Sequence, residues 1–297
     1  MRQKSRFSII AAVLVVAGCA STPQPATRDV AAQWQAQVTA ISAGDDTAER
    51  GQAIKNHLSS LGLLAREETF TSGKFKGTNI FADVGGPTGT PLLLIGAHYD
   101  RVDLGRGATD NASGSAAVLE LASAFKSRPL KNHRVVVVFW DLEERGLLGS
   151  RAYVSNAESE KPAMYVNFDV FGWGDTLWMM RPANERWLDA ETTAAAKAND
   201  FQLSAGEMYP PTDHLAFLKA GWPAVSYSLT DKDEIAGVLA AYQNLEKDPK
   251  SQPKMPKIMQ VIHSERDTVD ALDPATIPRA LRTVEDALRA WDASNPK

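Results

Sequence analysis

PLLLIGAHYDRVDLGRGATDNASGSAAVLELASAFKSRPLKNHRVVVVFWDLEE, residues 91–144, decides how the chain folds. It opens on a continuous apolar run over 91–97 and closes on a second over Arg134–Trp140. Runs of this length, bounded by polar residues and rich in β-branched side chains, read as strands buried on both faces. Between them, Ala112–Ser127 repeats its apolar residues at helical spacing. Strand, helix and strand in that order form the unit of a parallel sheet.

Outward from this unit the same alternation continues. Asp29–Ile41 and Thr47–Leu61 read as amphipathic helices and Gly77–Val84 as a strand. Downstream, Gly146–Ser155 reads as helix, Ala163–Phe168 and Asp175–Met180 as strands, Asn184–Ala198 and Asp213–Ala220 as helices, Pro223–Leu229 as a strand, and Pro274–Trp291 as a closing helix. The expected class is α/β: a single α/β/α domain over residues 29–297, with a mostly parallel central sheet flanked by helices. Residues 231–261 break the pattern. They are polar and carry Asp248-Pro249, Gln252-Pro253 and Met255-Pro256. They read as an insertion with one helix, about Ile235–Leu245, rather than as core.

The first residues belong to targeting, not to the fold. Arg2, Lys4 and Arg6 precede an apolar run, Phe7–Ala17, too short for a typical membrane span, and the run ends in Val16-Ala17-Gly18-Cys19. This is similar to a bacterial lipoprotein signal, which implies removal of residues 1–18, lipidation of Cys19, and residues 19–28 as a tether. Ala20 rather than an aspartate after the cysteine points to the outer membrane, facing the periplasm. Cys19 is the chain's single cysteine, so intramolecular disulfides, thiolate zinc sites and cysteine nucleophiles are excluded together. Composition is that of a globular protein, 44% hydrophobic and 23% charged, with a formal net charge of -4. The leader is basic, so the body is more acidic still, which argues against a nucleic-acid partner.

In α/β folds, sites gather at the carboxyl ends of strands. Polar residues cluster there: His98-Tyr99-Asp100 after the first buried strand, Thr109-Asp110-Asn111 at the start of the following helix, and Asp141-Leu142-Glu143-Glu144 after the second strand. Asp169 follows a third, and His263 precedes Ser264-Glu265-Arg266-Asp267-Thr268. Any one of these alone is a packed histidine or a helix cap. Together, carboxylates converging on one rim repel each other unless a cation neutralises them. With imidazoles present and no thiolate, a divalent metal resolves the conflict.

Five runs, 96–100 (GAHYD), 107–114 (GATDNASG), 143–150 (EERGLLGS), 167–169 (NFD) and 262–268 (IHSERDT), together resemble the dinuclear zinc aminopeptidases and related zinc exopeptidases. The likeness spans roughly residues 50–290. It implies two zinc ions, with cobalt or manganese chemically admissible. Asp110 would bridge them, His98 and Asp169 would complete one site, and Glu144 and His263 the other. Glu143 would be the general base for a water shared by the metals, and the substrate a peptide with a free N-terminus. Asp100 would support His98 from behind, and Asp213, paired with His214, would lie beside the ligands. Tyr209 would stabilise the oxyanion, a packed loop tyrosine being the alternative. The Asp110-Asn111 peptide bond is expected to be cis.

Other readings stay open on the same scaffold. A glutaminyl cyclase would use one zinc and a similar carboxylate set. A carboxypeptidase-like enzyme would need a cation for the substrate carboxylate, for which Arg101, Arg106 or Arg181 could serve. A non-catalytic periplasmic lipoprotein would be expected to have lost Glu143 or a ligand, and none is missing. Phe171, Trp173, Tyr209 and Trp222 could line a side-chain pocket, or simply pack. His57 and His133 read as structural.

Overall fold

The computed structural model describes residues 28–182, 188–248, 250 and 254–295. The signal segment, Cys19 and most of the tether lie outside them, as do residues 184–187 of the expected helix Asn184–Ala198. Two helices lead, α1 (Val30–Ser42) and α2 (Thr47–Ser60), capped by the side chains of Asp29 and Asp46 on backbone N–H groups. The hairpin β1 (Ala65–Ser72) and β2 (Phe75–Gly85) follows, then β3 (Leu92–His98), α3 (Ser113–Ser127), β4 (Arg134–Trp140) and α4 (Leu148–Ser155). The remainder is β5 (Met164–Phe171), β6 (Thr176–Met180), α5 (Asp189–Ala198), β7 (Gln202–Gly206), α6 (His214–Lys219), β8 (Ala224–Thr230), α7 (Lys232–Lys247), α8 (Lys257–Val261) and α9 (Ile277–Ser294).

The strands form one sheet in the order β1-β2-β4-β3-β5-β8-β6-β7. Its centre, β4-β3-β5-β8, is parallel, as the buried apolar runs require. Antiparallel pairing enters through β1-β2, β2-β4 and β6-β8. Successive residues of β3 serve opposite faces. Leu93, Ile95 and Ala97 join a core with α1, α2, α3 and α9, whereas Leu92 and Leu94 pack with Trp140, Tyr153, Tyr165 and Phe217 under α4 and α6. The three-layer α/β/α arrangement is therefore the observed fold.

Two local features bring the strand ends together. The first ten residues of α3 are all buried, and small side chains let that helix press on the sheet. A Cβ at Gly114 would meet Asn111 Oδ1 at 2.3 Å and the Phe168 carbonyl at 2.7 Å. The second feature corrects the reading of 231–261. The segment carries two helices, α7 and α8, and an apolar side: Ile235, Val238, Ile258 and Val261 pack on Val170, Trp173 and Trp178. Two polar strands, β1 and β7, were not expected from the sequence; both are edge strands of the sheet.

Candidate active site

His98 is the last residue of β3, and Asp169 lies near the end of the neighbouring parallel strand β5. Asp110 occupies the turn that opens α3, with φ -116° and ψ 93°, and the Asp110-Asn111 peptide bond is cis. Asn111 fastens this turn to β5: its amide donates to the Phe168 carbonyl at 2.9 Å, and its Oδ1 accepts from the Gly114 N–H at 3.0 Å. Glu143 and Glu144 follow β4, and His263 follows α8 with φ 55°.

Two buried carboxylates hold these loops by their backbones. Asp267 accepts from the N–H groups of Thr109 and Asp110, at 2.6 and 3.1 Å. Asp100 accepts from those of Glu143 and Glu144, at 3.1 and 3.2 Å. Asp100 also lies 3.3 Å from His98 Nδ1, without the alignment of a hydrogen bond. Asp267 went unassigned in the sequence, although it lies within the run 262–268. Arg50, fully buried on α2, adds a third fastening by donating to the carbonyls of Tyr99, Arg106 and Gly107.

The result is two groups of three ligand-type side chains sharing Asp110: His98, Asp110 and Asp169, and Asp110, Glu144 and His263, each with donor atoms within 4.8 Å of one another. Asp110 Oδ1 lies 3.1 Å from His98 Nε2 and its Oδ2 3.1 Å from His263 Nε2, so the carboxylate spans both groups. His98 Nε2 is 3.5 Å from Asp169, and His263 Nε2 is 3.2 Å from Glu144. The donors are imidazole nitrogen and carboxylate oxygen in proportions that suit zinc. Glu144 Oε1 is buried without a hydrogen-bond partner, as a ligand atom waiting on a cation would be.

Charge at the rim is concentrated. Hydrogen bonds to Asp110 and Glu144 push the His263 imidazole up to about 11. Burial alone would lower His98, but the charges of Glu143 and Asp169 raise it well above the ordinary histidine value. Burial, with the neighbouring acids, raises Glu143 well above the usual carboxylate range. Glu143 and Glu144 are raised by burial, whereas Asp110, hydrogen-bonded to both imidazoles, is lowered; the two raised imidazoles supply positive charge that this acidic rim calls for.

The rim opens into a cleft. Asp110, Glu143, Glu144, Asp169 and His263 line its polar end. Its other walls are mainly apolar: the excursion 231–261 supplies Val238 and Tyr242 of α7 and Ile258 and Met259 of α8, alongside Val170, Trp178, Tyr209 and Ile262. Ile262 lies in the run 262–268, but the four wall residues of α7 and α8 were not singled out in the sequence. Helical spacing of Ile235, Val238 and Tyr242 was the available signal. Of the aromatics considered there, Tyr209 does line the cleft. Phe171 lies in the main core, Trp222 packs under α6, and Trp173 supports α7 and α8 from behind. The Tyr209 hydroxyl bonds Ser228 Oγ, which itself donates to the Asp169 carbonyl.

Asp213 is fully buried, and burial pushes its carboxyl up to about 7. It makes no side-chain cap on α6. His214, pushed down to about 3 by burial, stays neutral and meets Tyr209 edge to face. The arginines considered for a carboxylate grip are engaged away from the cleft: Arg106 with Asp45, Arg101 with the carbonyls of Val102 and Asp45, and Arg181 with Asp189. His133 is locked between Asp292, at 2.9 Å, and the Trp291 ring, which ties α9 to the start of β4.

Known proteins resemble parts of this chain. The chain is 42% identical over 125 residues to the leupeptin-inactivating enzyme 1 of Streptomyces exfoliatus, a match covering 40% of this chain and 28% of that protein. It is 38% identical over 105 residues to the probable lipoprotein aminopeptidase LpqL of Mycobacterium tuberculosis, covering 34% of this chain and 21% of the relative. The chain thus matches less than a third of the length of either relative. Among solved structures, the fold matches the Legionella pneumophila LapA aminopeptidase with a TM-score of 0.68 at 19% identity, over 90% of this chain and 73% of that one. An Acidobacteriales bacterium glutaminyl cyclase matches with a TM-score of 0.69 at 19% identity, over 94% of this chain and 100% of the other. The model of one family fits residues 79–288, from β2 into α9 and through every residue of the rim; the chain belongs to peptidase family M28.

Proposed function

We propose that this chain is a metallo-aminopeptidase that hydrolyses the N-terminal peptide bond of peptides with two zinc ions. The observation that carries the reading is the pair of ligand triads joined through Asp110, with Glu143 opening on the same cleft. His98, Asp110 and Asp169 would hold one ion, and Asp110, Glu144 and His263 the other. Bound there, zinc would supply water activation near neutral pH and polarisation of the scissile carbonyl. Glu143 takes the proton of the attacking water and passes it to the leaving amine. Asp100 orients Glu143 and Glu144 through their N–H groups, and Asp267 does the same for Asp110. An oxyanion role for Tyr209 would require its hydroxyl to leave Ser228. The acidic rim attracts the substrate's free ammonium, and the apolar wall receives its first side chain.

We infer also that residues 1–18 are a signal peptide and that Cys19 carries a lipid anchoring residues 29–297 to the cell envelope through a short tether. The outer membrane facing the periplasm is the proposed location. The motif ending at Cys19 supports this, together with the lipoprotein name of the mycobacterial relative. Residues 231–261 are read as an insertion that walls the cleft.

The test is metal content and turnover of the zinc-loaded body, residues 20–297, on aminoacyl anilides and N-terminally blocked peptides, with Glu143→Ala alongside. About two zinc per chain and cleavage of free N-termini alone are expected. The variant should keep its zinc while losing about 1,000-fold in turnover. One zinc with cyclisation of N-terminal glutamine would move the reading to a cyclase, and bound metal without any turnover to a binding protein.

A further inference from the structure

The chain has six tyrosines, and five of their hydroxyls are already engaged. Tyr99 donates to the Thr78 carbonyl, Tyr153 to the Glu160 carbonyl and Tyr165 to Asn167 Oδ1. Tyr227 shares a hydrogen bond with Thr192, and Tyr209 bonds Ser228. In the last pair the Ser228 proton goes to the Asp169 carbonyl, so the Tyr209 proton is committed to Ser228. The sixth is Tyr242 of α7, whose hydroxyl has no protein partner among the described residues. It is 37% exposed and lines the same cleft as Asp110, Glu143 and Glu144. Val238, one helical turn earlier on α7, lines that cleft too, so one face of the helix is turned to the cleft.

We propose that Tyr242 is a catalytic residue whose phenol donates a hydrogen bond to the carbonyl oxygen of the bond being cut and strengthens it as negative charge develops there. This rests on the aminopeptidase reading above. A donor aimed at that oxygen must carry a proton at working pH, keep that proton free of protein acceptors, and sit on the cleft wall. A tyrosine phenol keeps its proton throughout the neutral range, and burial pushes that of Tyr242 further up. Ile262, the residue just before His263, brings only an alkyl group to the cleft. The excursion thus serves two purposes through one helix, wall and donor.

The test compares zinc-loaded wild type, Tyr242→Phe and Tyr242→Leu for zinc content, thermal midpoint, kcat and KM on the best aminoacyl anilide. Affinity for the boronic-acid analogue of the same residue, which imitates the tetrahedral state, is measured alongside. Tyr242→Phe keeps the ring and should keep zinc, midpoint and KM within about twofold, while kcat falls about 100-fold. Its boronate affinity should fall by about the same factor, with affinity for the free amino acid unchanged. Tyr242→Leu should show the same fall in kcat together with a raised KM. A Tyr242→Phe enzyme within about threefold of wild type in kcat overturns the assignment. Zinc-loaded wild type that turns over no substrate overturns the aminopeptidase reading instead. In that event boronate binding still decides for Tyr242, equal affinity in wild type and Tyr242→Phe counting against it.

Discussion

Asp100 and Asp267 do similar work on opposite sides of the rim. Each spends a buried carboxylate on two consecutive backbone N–H groups, and each pair of N–H groups belongs to a residue of the ligand triads or its neighbour. Groups that fix ligands in this way typically contribute 10–100-fold to metal affinity. Asp267→Ala should therefore weaken zinc binding by about that factor. Because it strands two buried donors at about 1–3 kcal/mol each, it should also lower the stability of the metal-free chain. Zinc titration with a competing chelator and urea unfolding would check both, and wild-type values in each would remove the clamp from the site. At this scale the sequence was legible where a residue's chemistry is scarce. His98, Asp110, Glu143, Glu144, Asp169 and His263 stood out as ionisable groups at strand ends; the structure brings the last five to one cleft and buries His98 against Asp110. Asp267 did not, because an aspartate after a turn reads as a solvated acid until its N–H partners, more than 150 residues away, are known. The state of the Tyr209 hydroxyl is likewise set by Ser228, a contact without a sequence signature.

Elements were legible in proportion to their burial. β3 and β4, buried on both faces, announced themselves as apolar runs, and β4 begins and ends on the expected residues. β1 and β7 are edge strands with polar, half-exposed side chains, so neither shows such a run. The alternating burial of β1 and the positive φ of Gly73 in its hairpin were the signals to be had. The excursion misled for a different reason. Its composition is polar because α7 and α8 each bury one side only, and that side meets the cleft and a small cluster apart from the main core. If α8 forms the wall against the substrate's first side chain, Met259→Trp should fill that space. KM for anilides with bulky first residues should rise about tenfold, with alanine substrates little changed. A uniform effect across the panel would show that α8 does not sort side chains.

Over the whole molecule, the parallel centre of the sheet delivers β3, β4 and β5 to one edge, and the rim follows from that topology. The α/β/α class and the parallel centre were legible because β3 and β4 are continuous apolar runs around a helix. The antiparallel margins were not, because the direction of an edge strand depends on loop geometry rather than on its own residues. A rim so dense in acids makes the folded state depend on its cations. Stripping zinc with a chelator should abolish turnover and lower the thermal midpoint on the order of 10 °C, as expected for ligand present about a thousandfold above its Kd. An unchanged midpoint would mean that the rim holds no metal in the folded protein. The hydrogen bonds from Thr109 and Asp110 to Asp267 have one more consequence, which concerns time. They join residues separated by 158 and 157 positions. A ribosome makes β3, α3, β4 and β5 long before it reaches His263 and Asp267. Until then Asp110 has neither its second imidazole nor the acceptor for its N–H. A growing chain can thus assemble most of its sheet while remaining unable to complete the second triad, which waits for the residues that follow α8.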